Sequence, residues 1–293
     1  MTTEATRKIP KVCHVTTPSG GSVALPTICS QETFDDAINF KFSENDVIIR
    51  TYPKSGTTWM MNIIYLITHH GKPIPGGTFL EDHFLFCETS GKERLLHHQG
   101  SPFRFFQTHI HADHMKFNKL SKYVCVVRNP KDVCVSFFHH TNALKDLYGV
   151  TEMDFVSYFQ LFVEGKTDFG SYFDHVTAAL SHRDDANILF ILYEDMLADT
   201  RSAVLKVARF LGQDYLEQVQ DEDVMKSVLE HSSFAAMFKN KEQLSHTTRD
   251  DVCAVIRKGI VGDWKSFMTQ QQAGIIDEMT RKHELDHLWK DFQ

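Results

Sequence analysis

Four short apolar runs, each bounded by polar or turn-forming residues, mark the chain at Asp46 to Thr51, Phe103 to Thr108, Tyr123 to Val127 and Ile188 to Tyr193. None alternates strictly between apolar and polar positions, which predicts strands covered on both faces. Helical patterns lie between and after them, over Thr58 to Thr68, Lys131 to Leu144, Asp154 to Glu164 and Thr200 to Leu211. Gly212 then stands where a left-handed C-terminal cap fits. Strands alternating with helices predict an α/β fold, with a mainly parallel central sheet flanked by helices. Such a sheet binds its ligand in the crevice at the carboxyl ends of its strands.

The segment Thr16-Thr17-Pro18-Ser19-Gly20-Gly21-Ser22 predicts a flexible or turn-rich lead-in over residues 1–30. No comparable linker follows, so residues 31–293 read as one domain. A composition of 42% hydrophobic and 24% charged residues supports a large core and excludes disordered, collagen-like and disulfide-scaffold chains. Thirty-one Lys plus Arg against thirty-eight Asp plus Glu gives a net charge of −7. No general footprint for nucleic acid exists, so any anion must be held by a local site.

Met1 to Pro10 carries Glu4, Arg7 and Lys8 where a secretory signal needs apolar residues. The longest apolar run, Trp59 to Ile67, is broken by Asn62 and falls short of the roughly 20 residues that span a bilayer. A cytoplasmic protein without membrane contact is therefore expected. The six cysteines, Cys13, Cys29, Cys87, Cys125, Cys134 and Cys253, form no close pair of metal-ligand spacing and read as reduced thiols.

Three segments carry candidate chemistry. Directly after the first predicted strand comes Tyr52-Pro53-Lys54-Ser55-Gly56-Thr57-Thr58-Trp59, and then a helix begins. A strand, a glycine turn and a helix N-terminus present unpaired backbone N–H groups and a positive dipole end to an anion. An ordinary helix cap would need one hydroxyl, not four consecutive donors and a lysine. A nucleoside-triphosphate loop places its lysine after the final glycine, whereas Lys54 precedes Gly56 and the first glycine is absent. The second segment, Arg128 to Ser136, again sits at a strand end, with Asn129 as N-cap and Pro130 at the first helical position. The third, Arg257-Lys258-Gly259, pairs cations with a glycine that lets the backbone approach a ligand.

These segments, in this order and at these separations, resemble those of the cytosolic sulfotransferases. The resemblance extends from about residue 30 to the C-terminus. It implies that Lys54, Ser55, Gly56, Thr57, Thr58 and Trp59 hold the 5′-phosphosulfate end of 3′-phosphoadenosine 5′-phosphosulfate in a P-loop-like turn. Arg128, Ser136, Arg257, Lys258 and Gly259 match the family's 3′-phosphate contacts. Tyr193, Ser232 and Phe234 match its adenine side, with Trp59 and Phe234 as stacking partners. His109, in Gln107-Thr108-His109, has the position of the catalytic base, and Lys54 would stabilise the departing phosphate. The product would be adenosine 3′,5′-bisphosphate.

The chain departs from the family at Gln107, where a lysine is usual. The resemblance also implies an acceptor that is a small molecule bearing a hydroxyl, phenolic or alcoholic, held by Phe79, Phe84, Gln107, Phe137, His140, Leu144 and Tyr148. Lys265 and Thr269 match the family's dimer motif, but Gln270 and Gly274 replace its Val and Glu, so a monomer or weak homodimer is expected. His109, His111 and His114 have spacing that could ligate zinc, yet no Cys or carboxylate set completes a site, so no metal is expected. Two other readings stay open: a silent nucleotide-binding protein, because of Gln107, and a nucleotide-dependent phosphotransferase.

Overall fold

The computed structural model describes residues 9–244 and 256–292. Cys253 and the expected leader positions Glu4, Arg7 and Lys8 lie outside the described residues. In chain order the elements are a hairpin of β1 (Cys13–Thr16) and β2 (Ser22–Leu25), then α1 (Gln31–Asn39), β3 (Asp46–Arg50), α2 (Thr57–Thr68) and α3 (Leu80–His83). There follow β4 (Phe84–Phe86), α4 (Cys87–His97), β5 (Arg104–Thr108), β6 (Lys122–Val127), α5 (Pro130–Ala143) and α6 (Lys145–Tyr148). Next come α7 (Phe155–Val163), α8 (Tyr172–Leu180), β7 (Ile188–Leu192), α9 (Tyr193–Ala198) and α10 (Thr200–Leu211). The remaining α-helices are α11 (Gln213–Gln220), α12 (Glu222–Ser232), α13 (Phe234–Lys239) and α14 (Gln270–Lys282), and a 3-10 helix over Asp286–Phe292 ends the described chain.

The central sheet has the order β4-β5-β3-β6-β7, and every neighbouring pair is parallel. Successive residues of a strand face opposite sides, so each strand feeds two cores. Ile48, Phe106 and Cys125 join the core beneath α5, α7 and α8, while Val47, Ile49, Phe105 and Val124 join the one beneath α2, α10 and α12. This two-sided burial explains why the strands read as unbroken apolar runs.

The four expected strands and four expected helices are present, with ends shifted by a residue or so. Tyr193 is the first residue of α9 rather than the last of a strand. Asn129 caps α5 by accepting from the Lys131 N–H, and Pro130 is its first residue. The expectation for Gly212 is corrected: its φ of 160° and ψ of 163° are extended, not left-handed, because the chain passes straight into α11. The edge strand β4 has only three residues, too few for a periodic signal. Thr16 to Ser22, read as turn-rich, is the tip of the β1–β2 hairpin. That hairpin is tied to the body where the Phe169 N–H donates to the Ala24 carbonyl and the Lys11 N–H to the Tyr148 carbonyl.

The chain after β3 lies between β5 on one side and β6 on the other. This is where strand order reverses, and a crevice opens at the carboxyl ends.

Candidate active site

A cavity of about 1050 Å³ occupies that crevice. One end is built from backbone turns and cations. After β3 the chain makes a tight turn in which the Ser55 N–H donates to the Tyr52 carbonyl and Lys54 takes a φ of 67°. A left-handed non-glycine residue carries strain on the order of 1–3 kcal/mol, of a kind that gathers at ligand sites. Gly56 then caps α2 at a φ of 111° with no side chain closing the helix end. The ordinary-cap alternative therefore fails, since no hydroxyl caps this helix. A Cβ on Gly56 would stand 2.8 Å from Tyr193 Cδ2, so only glycine fits.

Arg128 leaves β6 and lies with its guanidinium 4.4 Å from the Tyr193 ring centroid. It donates to the Ile260 carbonyl at 3.0 Å and the Lys54 carbonyl at 3.4 Å, leaving Nε buried and unpartnered. Arg257 and Lys258 both pair with buried Asp263, at 2.5 and 2.7 Å. Asp132 on α5 in turn accepts from the Gly262 and Trp264 N–H groups and so ties this loop to the second motif. Gly259 packs against Phe234 so closely that a Cβ there would meet its ring at 2.5 Å. The Trp59 indole donates to the Ser232 carbonyl at 2.9 Å, fixing α2 against the end of α12. Burial lowers the Lys54 ammonium to about 7, assisted by the charges of Arg128 and Arg257.

The other end is aromatic. Phe84, Phe86, Phe137, Leu144, Tyr148 and Phe169 line it, with Pro26 and Ile28 from the N-terminal segment. The Tyr148 hydroxyl is turned away to Asp168, at 2.5 Å, and burial raises that carboxyl to about 6. Gln107 donates to the Phe84 carbonyl at 3.4 Å, and His140 Nδ1 lies 3.4 Å from Lys54 Nζ.

His109 stands where the two ends meet, just past β5. Its ring packs edge-on between Phe86 and Phe169, with centroids 5.5 and 5.2 Å away. Nδ1 donates to the Thr51 carbonyl at 2.8 Å, an assignment that leaves Nε2 as the basic nitrogen. Burial lowers its pKa to about 4; the Thr51 carbonyl opposes this and the nearby Lys54 adds to it. The imidazole is therefore neutral at physiological pH.

A family model described as the sulfotransferase domain matches residues 44–288. The chain belongs to the sulfotransferase family. The amine sulfotransferase of Oryctolagus cuniculus is 32% identical over 89% of this chain and 87% of its own length. The 3-alpha-hydroxysteroid sulfotransferase of Cavia porcellus is 32% identical over 90% and 92%. A crystal structure of mouse sulfotransferase SULT7A1 complexed with PAP superposes with a TM-score of 0.75 at 26% identity, covering 96% of this chain and 99% of that one.

Of the site residues expected from the sequence of this sulfotransferase, two do not line the cavity. Phe79 sits at the N-cap of α3, outside the lining, and Ser55 lies behind the turn with its hydroxyl buried and unpartnered. Lys54, Gly56, Thr57, Thr58, Trp59, Arg128 and Ser136 all line it, as do Tyr193, Ser232, Phe234, Arg257, Lys258 and Gly259. So do His109, Phe84, Gln107, Phe137, His140, Leu144 and Tyr148. Lys131, inside the second motif, points elsewhere, pairing with Asp277 at 2.7 Å.

Sequence reasoning missed the acids that hold the site together: Glu88, Asp132, Glu194 and Asp263. Asp132 and Asp263 sit inside the basic motifs, so an acid next to clustered cations was a signal at hand; Glu88 and Glu194 carried none. Among the described residues, no group of three His, Cys, Asp or Glu side chains is arranged to hold a metal ion. Cys13, Cys29, Cys87, Cys125 and Cys134 are free thiols. No helix among the described residues is long and apolar enough to cross a membrane.

Proposed function

We propose that this sulfotransferase moves a sulfuryl group from 3′-phosphoadenosine 5′-phosphosulfate to the hydroxyl of a small, largely apolar phenol or alcohol. The observation that carries the reading is the meeting of a cation-lined, glycine-cradled end and an aromatic end at one neutral histidine. Among the described residues, three buried polar atoms that belong to residues lining the donor end have no hydrogen-bond partner: Arg128 Nε, Arg257 Nε and Ser232 Oγ. Buried polar atoms require partners, and a phosphorylated nucleotide supplies them. PAP in the mouse structure is in keeping with this donor.

The turn from Lys54 to Thr58 and the open end of α2 would hold the phosphosulfate. Arg128, Ser136, Arg257, Lys258 and the Gly259 backbone would hold the 3′-phosphate, with Trp59 and Phe234 on the base. The donor supplies the activated sulfuryl group and the leaving phosphate. His109 Nε2 takes the acceptor's hydroxyl proton as its oxygen bonds to sulfur. Lys54 stabilises the charge left on the phosphate as the sulfur–oxygen bridge breaks. A base held near 4 would be a poor proton sink in the resting site, but the negative charge of the bound donor beside it favours the imidazolium.

The aromatic end suits flat, apolar acceptors, and Leu144 offers no charge that would select an amine. The test is a panel of phenols, alcohols and amines with labelled donor, with ATP and magnesium as control donor. Transfer from the labelled donor to phenols or alcohols is expected. Donor binding without transfer to any acceptor would instead indicate a silent nucleotide-binding protein, and transfer from ATP alone a phosphotransferase.

A further inference from the structure

Strand β4 pairs with β5 only as far as Phe86 opposite Gln107. Beyond that point β5 still has donors to satisfy on its β4 side, among them the N–H of His109. The chain of β4 has by then turned into α4, so no strand carbonyl is available there. A side chain fills the gap: Glu88 Oε1 accepts from the His109 N–H at 2.5 Å and from the Thr108 hydroxyl at 3.0 Å. The same Thr108 hydroxyl accepts from the Ile110 N–H at 3.1 Å, so one carboxylate organises three consecutive residues.

Glu88 is fully buried, and its second oxygen has no hydrogen-bond partner among the described residues. A buried carboxyl is an unfavourable way to fill core space, and burial raises this one to about 7 despite its donors and the charge of the buried Arg50 that acts on it. Packing alone would be served better by an apolar side chain. On the opposite side β3 contributes the second fixture, the Thr51 carbonyl that receives His109 Nδ1–H.

We propose that Glu88 is a positioning residue for His109: its carboxylate replaces the missing strand carbonyl and fixes the backbone from which the imidazole reaches the cavity. The proposal rests on the reading of His109 as the base. With Glu88 and Thr51 both in place, the ring is mounted from its main chain and from Nδ1, and Nε2 has one direction left. A displacement of about 1 Å can cost on the order of a hundredfold in rate.

The experiment compares Glu88→Leu, which keeps the bulk without an acceptor, and Glu88→Gln, which keeps an oxygen, with His109→Ala and the double variant Glu88→Leu/His109→Ala. Each is measured for kcat, donor and acceptor KM, affinity for adenosine 3′,5′-bisphosphate and the NMR titration of His109. Glu88→Leu is expected to lower kcat by about 10- to 100-fold, leave nucleotide affinity within about twofold, and shift the titration of His109. Glu88→Gln should restore most of kcat, and Glu88→Leu should have no further effect on the residual rate of His109→Ala.

If Glu88→Leu leaves kcat unchanged, or lowers the residual rate of His109→Ala as much as that of the parent, the positioning role is overturned. Loss of nucleotide affinity in step with kcat, in a variant that still folds, overturns it too. If Glu88→Leu does not fold, Glu88→Met, which also removes the acceptor, takes its place and is judged by the same outcomes. Near-normal turnover in His109→Ala would instead sink the base assignment and leave the Glu88 hydrogen bonds as structure only.

Discussion

The two ends of the cavity are built by different means. The proposed donor end is made of backbone: a strained turn at Lys54, an uncapped helix, glycines that admit no Cβ, and cations oriented by buried acids. The proposed acceptor end is made of side chains, supplied by β4, α5, α6, the loop at Phe169 and the segment behind the hairpin. A ligand held by backbone N–H groups is specified atom by atom, whereas an aromatic wall specifies mainly volume and polarity. Changes at the donor end should therefore reduce nucleotide binding steeply, and changes at the acceptor end should redistribute acceptor preference.

The sharpest break of this comparison falls where the ends meet. His109→Ala should lower kcat by roughly 10²- to 10⁴-fold while nucleotide affinity, measured by calorimetry with adenosine 3′,5′-bisphosphate, stays within about twofold. Abolished nucleotide binding would place His109 in the donor end instead. Next in size, Arg257→Ala removes a charge-assisted contact worth about 1.5–3 kcal/mol, so nucleotide affinity should fall by about 10- to 100-fold. The acceptor KM should not move.

Gly259→Ala should weaken nucleotide binding by about tenfold, because the new Cβ, at a φ of 64°, pushes on the Phe234 ring and adds backbone strain. Steady-state KM for donor and acceptor separates this from a global defect: only the first should rise.

The pH dependence separates the ends again. Lys54 in the free protein keeps its proton below about 7 and loses it above, so affinity for an anionic donor should be full below that pH and decline as pH rises through it. His109, lowered to about 4 in the free protein, stays neutral down to that value, so kcat/KM for the donor should show no acid limb from the imidazole until near pH 4. An acid limb near the ordinary imidazole value of about 6.5 would show the resting ring to be solvated. The smallest effect is expected at Gln107→Lys, which should preserve or modestly raise turnover by bringing a second cation toward the transferred group.

The same contrast governs what was legible in the sequence. Lys54 to Trp59, Arg128 to Ser136 and Arg257 to Gly259 are contiguous motifs whose order and separation carry the family resemblance, and the cavity lining brings them together, so this end was legible in the sequence. The four longer strands were readable because each is apolar on both faces. Pro26, Ile28 and Phe169 were not, since apolar residues at a cavity wall look the same as residues in a core. Glu88 and Glu194 were invisible for another reason: their partners, the N–H groups of His109 and Asn129, lie 21 and 65 residues away and meet them only through the sheet. The family resemblance of the segment Phe79 to Phe86 puts Phe79 in the acceptor wall, but α3 begins between Phe79 and Phe84 and Phe79 stays out of the lining.

The most direct test of a two-ended cavity centred on one histidine is a crystal structure with adenosine 3′,5′-bisphosphate and a phenolic acceptor bound together. The 3′-phosphate is expected on Arg128, Arg257 and the Gly259 backbone, with the acceptor hydroxyl within hydrogen-bond reach of His109 Nε2. A nucleotide seated away from the Lys54 turn, or an acceptor hydroxyl facing away from His109, would contradict the account.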